Sequence, residues 1–128
     1  MIKESKQNIA HMEYAVRLAK KALGQTHPNP MVGAVIVEGG KVVAEGYHQK
    51  SGEEHAEIIA LDSYTGTPKA DTTLFITLEP CSTEGRTGAC TNAIINSGIK
   101  HVVIGTVDPN PKHAGAGVKL LESAGISV

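Results

Sequence analysis

The sequence predicts an α/β domain of three layers, a mixed five-stranded sheet with helices on both faces. Three observations predict it. Apolar residues recur at helical spacing in some segments and as short β-type runs in others, and the two kinds alternate along the chain. Two of the apolar runs are joined by Gly39-Gly40, a hairpin signal. The later runs are separated by helical stretches, which places helices on the sheet's faces.

The elements follow in order. Ile9, Met12, Val16, Ala19 and Leu23 recur at helical spacing, with Asn8 as N-cap and Gly24 as the stop. Val32 to Val37 is an apolar β run; Glu38-Gly39-Gly40-Lys41 turns the chain, and Val42 to Gly46 returns antiparallel. Ser51 or Gly52 opens a second helix carrying His55 to Leu61. Leu74 to Leu78 reads as a buried strand ending at Glu79-Pro80. Cys90 opens a third helix that stops near Gly98, and His101 to Gly105 is the next strand. A fourth helix runs from about Gly117 to Ala124 and ends at Gly125; Ile126 to Val128 begins the fifth strand.

Composition sets the bounds. The 128 residues make one domain, 1–128, large enough to bury its own core. No segment is apolar enough to span a membrane, and the polar start, Met1-Ile2-Lys3-Glu4-Ser5-Lys6, has no signal-peptide core, so a cytoplasmic protein is expected. Net charge is −1 without a run of Lys or Arg, which argues against a protein built to grip nucleic acid. With no Trp, one Phe and three Tyr, base-stacking platforms are scarce as well. In a reducing compartment two cysteines point to metal or catalysis more than to a disulfide.

The chemistry sits in two stretches, His55-Ala56-Glu57 and Leu78-Glu79-Pro80-Cys81, the second followed by Cys90. A zinc site with an open position takes three protein ligands and a water. The pattern H-x-E … P-C-x-x-C marks zinc deaminases, where the Glu is the proton carrier and not a ligand. Here His55, Cys81 and Cys90 supply the three ligands and Glu57 the carboxylate; the cysteines stand eight residues apart by their intervening gap, not two. The predicted helix N-termini near Cys81 and Cys90 favour thiolate over thiol. Ligands in α/β folds gather where strands end and helices begin.

Each of these residues has a bland explanation taken singly. A lone buried Cys usually packs, and Glu57 alone would be a solvated helix residue. A purely structural zinc is the stronger rival, since structural sites close with four protein ligands. His27, His48 or His113 could supply the fourth, though none is close in sequence to the other three. Glu57, two residues from a ligand, has an obvious job only if a water is bound.

With these residues the chain resembles the deaminase domain of the riboflavin-biosynthesis pyrimidine deaminases, in the cytidine-deaminase-like superfamily. The resemblance runs through Thr26-His27-Pro28-Asn29-Pro30-Met31-Val32-Gly33, Gly46-Tyr47-His48, His55-Ala56-Glu57, Leu78-Glu79-Pro80-Cys81-Ser82, Gly85-Arg86-Thr87, Cys90 and Asp108-Pro109-Asn110-Pro111. The long cysteine gap with Gly-Arg-Thr inside it points to this family. The resemblance implies Zn2+ on His55, Cys81 and Cys90, with Glu57 as proton shuttle. It implies that Asn29 and His48 contact the pyrimidine or its ribose phosphate, and that Arg86 meets the substrate at a place suited to phosphate.

The implied reaction is hydrolytic deamination of 2,5-diamino-6-ribosylamino-4(3H)-pyrimidinone 5′-phosphate at ring carbon 2. The partner is thus a small, ribose-phosphorylated pyrimidine, with no membrane and no nucleic acid, and a homo-oligomer is expected. Two departures stand out. Thr83 occupies the place of a usual His, and Gly88-Ala89 that of a usual Pro-Pro. Losing the His removes a ring that can stack on or donate to substrate, so a deaminase of another small N-heterocycle or nucleoside stays open. So do a nucleic-acid deaminase, against the charge, and a zinc-stabilised interaction module, against an intact Glu57. In the bifunctional members an NADPH-dependent reductase domain follows; Val128 falls about where it would begin, so a deaminase domain without need of a nicotinamide cofactor is expected.

Overall fold

The computed structural model describes residues 6–23, 31–49, 55–80, 90–106 and 115–128. Within them run α1 (Lys6–Lys20), β1 (Gly33–Glu38), β2 (Lys41–Tyr47), α2 (Ala56–Ser63), β3 (Thr73–Ile76), α3 (Cys90–Ser97), β4 (His101–Ile104) and α4 (Ala116–Ser123). The strands form one mixed sheet in the order β2-β1-β3-β4. β1 is antiparallel to both β2 and β3, and β3 is parallel to β4. A parallel pair needs a crossover, and α3 lies in the connection between β3 and β4.

Alternation along the strands sorts side chains to the two faces. Val35, Val37 and Phe75 pack with Ala15 and Leu18 of α1. Ala34, Ile36, Leu74, Ile76 and Val102 face the other way, against Ala56 and Ala60 of α2, Ile94 of α3 and Leu121 of α4. β1 is buried on both faces, as an interior strand should be. The expected three-layer αβα architecture is therefore the observed one.

The hairpin turn is as the residues require. Gly39 and Gly40 have φ of +57° and +80°, the left-handed values of the tight turns that match strand twist. The register slips between Ile36 and Val37, leaving Val43 as an extra residue on β2. This bulge twists the outer strand and accounts for an edge Val that is 44% exposed.

Three expectations are corrected. The fifth strand is reduced, among the described residues, to a single parallel bridge between Ser127 and His101. Val102 N donates to Ser127 O and Ser127 N to Lys100 O, both at 2.8 Å. Ile126 and Val128 are buried, so the alternation is strand-like, but pairing extends over one residue only. α1 begins by Lys6, before Asn8, because Lys and Gln are good helix formers and carry the helix past a possible cap; Gly24 lies outside the described residues. α2 begins at Ala56, not at Ser51 or Gly52. His55, at φ −73° and ψ 159°, is extended and cannot continue a helix from upstream.

Candidate active site

Local sequence places the first two groups. His55 is the N-cap of α2, and its carbonyl accepts from Ile58 N at 3.1 Å and Ile59 N at 3.2 Å. Those bonds hold the residue at the helix mouth. Glu57 is the second residue of α2 and therefore shares that mouth. Cys90 is the first residue of α3, where the helix dipole favours a thiolate.

Tertiary packing brings the two helix starts together. His55 Nδ1 lies 3.2 Å from Cys90 Sγ and 3.7 Å from Glu57 Oε1. One ligand atom from each of the three residues falls within a 4.8 Å group. Cys90 is fully buried and Glu57 is 3% exposed, whereas the His55 side chain reaches solvent at 37%. The opening is thus on the imidazole side. His48, just beyond β2, is 2% exposed and stands edge-on to His55, with ring centroids 5.2 Å apart. His48 N donates to Val32 O at 3.0 Å, which extends the β1–β2 pairing to this residue.

The closeness of α2 to the sheet is set by Gly46. An added Cβ there would come within 2.6 Å of Ala56 O and 2.7 Å of Ala60 N, so α2 rests directly on the backbone of β2. β3 and β4 end their parallel run on this same side, at Ile76 and Ile104, the usual ligand side of an α/β sheet.

The residues fit a zinc ion. Zn–N near 2.0 Å and Zn–S near 2.3 Å at a tetrahedral angle put the two ligand atoms about 3.5 Å apart; His55 Nδ1 and Cys90 Sγ are 3.2 Å apart. The imidazole and thiol suit zinc as ligands, and a divalent cation would offset the charge of the buried Glu57 carboxylate beside them. His48 is not part of the close group, so it does not close the site as a fourth ligand among the described residues. His27 and His113, the other candidates for that role, lie outside them.

Of the residues singled out in the sequence, the structure brings together His55, Glu57 and Cys90 and sets His48 beside them. Asn29, Cys81, Thr83 and Arg86 lie outside the described residues. Sequence reasoning passed over Glu79, which is 5% exposed and accepts hydrogen bonds from the start of α4. Its one signal was its place in Leu78-Glu79-Pro80-Cys81, between a strand and a candidate ligand.

Comparison with known proteins agrees with this geometry. The family of the cytidine and deoxycytidylate deaminase zinc-binding region matches residues 5–106. The riboflavin biosynthesis protein RibD of Aquifex aeolicus is 54% identical over 128 residues, which is 100% of this chain and 35% of that protein. The diaminohydroxyphosphoribosylamino-pyrimidine deaminase of Buchnera aphidicola is 51% identical over 118 residues, covering 92% of this chain and 80% of that protein. The crystallised RibD of Acinetobacter baumannii superposes with a TM-score of 0.90 at 44% identity, over 98% of this chain and 35% of the other. The chain thus spans about a third of the Aquifex and Acinetobacter proteins.

Proposed function

The chain belongs to the cytidine and deoxycytidylate deaminase zinc-binding family, and from that premise we propose that it is a zinc-dependent hydrolytic deaminase of an amino-pyrimidine. The substrate we propose is the diaminohydroxyphosphoribosylaminopyrimidine named for the Buchnera relative. The observation that carries the reading is a buried carboxylate, Glu57, 3.7 Å from the imidazole nitrogen that faces Cys90 Sγ.

His55, Cys90 and Cys81 would hold the metal. Bound there, zinc would supply the Lewis acidity that makes water a nucleophile at neutral pH. Glu57 takes one proton from the attacking water and passes it to the ring nitrogen, then takes the second proton from the hydroxyl so added and passes it to the departing amine. The water oxygen bonds to the ring carbon, the exocyclic C–N bond breaks, and ammonia leaves as an oxo group forms. Burial of Glu57 keeps its carboxylate from being dispersed into solvent and aims it at one place. His48, buried edge-on to His55, is assigned to contact with the pyrimidine or its ribose phosphate. Arg86 and Asn29 are assigned to the ribose phosphate and ring, and Thr83 to the same loop surface. We assign the working form to a homo-oligomer.

A zinc-stabilised module without activity is the lesser reading, because it leaves the buried Glu57 without a task. The test is metal content together with ammonia release from a panel of amino-pyrimidines, with and without ribose phosphate. One zinc per chain and turnover of the ribose-phosphorylated compound support the reading. Full activity in metal-free protein would overturn the metal assignment, and turnover of a different heterocycle alone would overturn the substrate.

A further inference from the structure

Glu79 is a buried carboxylate that the deamination chemistry does not use. A buried charge needs partners, and Glu79 has them in α4. Its Oε1 accepts from Gly115 N at 2.9 Å and its Oε2 from Val118 N at 3.1 Å. Gly115 is the N-cap of α4, at φ +81°, and makes no side-chain cap of its own. The cap thus comes from 36 residues upstream, and its negative charge also complements the helix dipole.

Two further contacts bind the same short segment. Glu79 N donates to Thr106 O at 2.8 Å, just past β4. Gly117 lets α4 close on it: a Cβ there would lie 2.5 Å from Pro80 O and 3.2 Å from Glu79 Oε2. Residues 79–80 are therefore held by the end of β4 on one side and by the start of α4 on the other. Pro80 has a fixed φ, and the next residue in the chain is Cys81.

We propose that Glu79 is a positioning residue for the metal centre, holding the chain that leads into Cys81 by clamping residues 79–80 to the N-terminus of α4. The inference rests on the zinc reading above. Gly115, at φ +81°, has the left-handed backbone that side-chain N-caps do not adopt, so α4 takes its cap from elsewhere in the chain. A cap supplied from the residue two before Cys81 ties the start of α4 to residues 79–80. Partners that orient ligands typically change metal affinity about 10–100-fold when removed.

The test compares Glu79→Ala and Glu79→Gln with Tyr64→Phe, which removes a hydrogen bond to Glu38 at the far end of α2, about 13 Å along the helix from His55. Zinc affinity is measured by chelator competition, and the ligand set is read from the visible spectrum of the Co2+-substituted protein. Glu79→Ala should bind zinc about 10–100-fold more weakly and lose intensity in the thiolate-to-cobalt band. Glu79→Gln, which keeps one acceptor oxygen, should fall between it and the parent. Tyr64→Phe should leave both readouts unchanged even where it lowers stability. If Glu79→Ala does not fold, Glu79→Gln decides. Parent-like affinity and spectrum in a folded Glu79 variant of reduced stability would reduce Glu79 to a helix cap and overturn the proposal. A parent protein that binds no zinc would instead overturn the zinc reading, and this inference with it.

Discussion

Replacing Gly46 with Ala should damage stability and activity together, and by amounts the packing sets. The added Cβ would sit 2.6 Å from Ala56 O, 2.7 Å from Ala60 N and 2.8 Å from Ile59 Cβ. Two of the three are backbone atoms of α2, so no flexible side chain can swing aside. To restore an ordinary contact of 3.4 Å, helix and strand must separate by about 0.8 Å. Overpacking of this kind costs about 1–3 kcal/mol. Removing a strand Gly returns about 0.5–1 kcal/mol. The net loss is then up to about 2.5 kcal/mol and near 1 kcal/mol at the middle of both ranges, a fall in Tm of roughly 5 °C for a domain of this size.

The same shift acts on chemistry, because Ala56 lies between His55 and Glu57 and moves with them. A displacement near 1 Å at a reacting group costs roughly 100-fold in rate, so kcat/KM should drop by about 10–100-fold. The assays are thermal unfolding of the zinc-loaded protein and ammonia release on the best substrate of the panel. A Gly46→Ala protein with parental Tm and parental kcat/KM would refute the reasoning, since α2 could not then lean on β2 as closely as the structure has it. Lost stability with intact activity would refute the second half alone, separating the helix position from the catalytic geometry.

Glu57→Gln should keep zinc content and fold while cutting kcat by about 10²–10⁴-fold, the usual worth of a positioned proton carrier; loss of zinc with unchanged activity per zinc would make Glu57 structural. Arg86→Ala should lower kcat/KM by roughly 10–100-fold on a phosphorylated substrate and much less on its dephosphorylated counterpart; equal losses on both would remove the phosphate assignment. Hydrogen bonds from Tyr64, first, and Thr72 hold the Glu38 carboxyl below its ordinary pKa. The stability it contributes is therefore present above the unfolded-state value, near 4.3, and is lost as pH falls through the lower folded-state value. Urea unfolding of parent and Glu38→Gln proteins should show a gap at neutral pH that closes on acidification below that value; a gap independent of pH would contradict it.

The sequence by itself determined what is local. His55 and Glu57 are two residues apart, so one helix start carries both wherever it sits. Gly39-Gly40 admits the left-handed backbone of a tight hairpin, and the apolar runs Val32 to Val37 and Leu74 to Leu78 mark the buried strands β1 and β3. Cys90 opening α3 was legible from the helical pattern that follows it. The family was named from a resemblance running from Thr26 to Pro111, with the His55–Glu57 and Cys81–Cys90 motifs at its centre.

What only the tertiary structure decided depends on groups far apart in the chain. The 3.2 Å approach of His55 to Cys90 joins residues 35 apart and exists because α2 and α3 lie on the same face of the sheet. His55's extended backbone, which moved the start of α2 to Ala56, is a matter of how the chain enters a packed helix and leaves no mark in residue type. The fifth strand was a fair reading of Ile126 to Val128, but a strand is made by its neighbour, and pairing beyond Ser127 was not there to make it. Glu79 is the clearest case. A carboxylate before a proline looks solvated in sequence, and it becomes a buried helix cap only when α4, 36 residues later, delivers two free N–H groups to it.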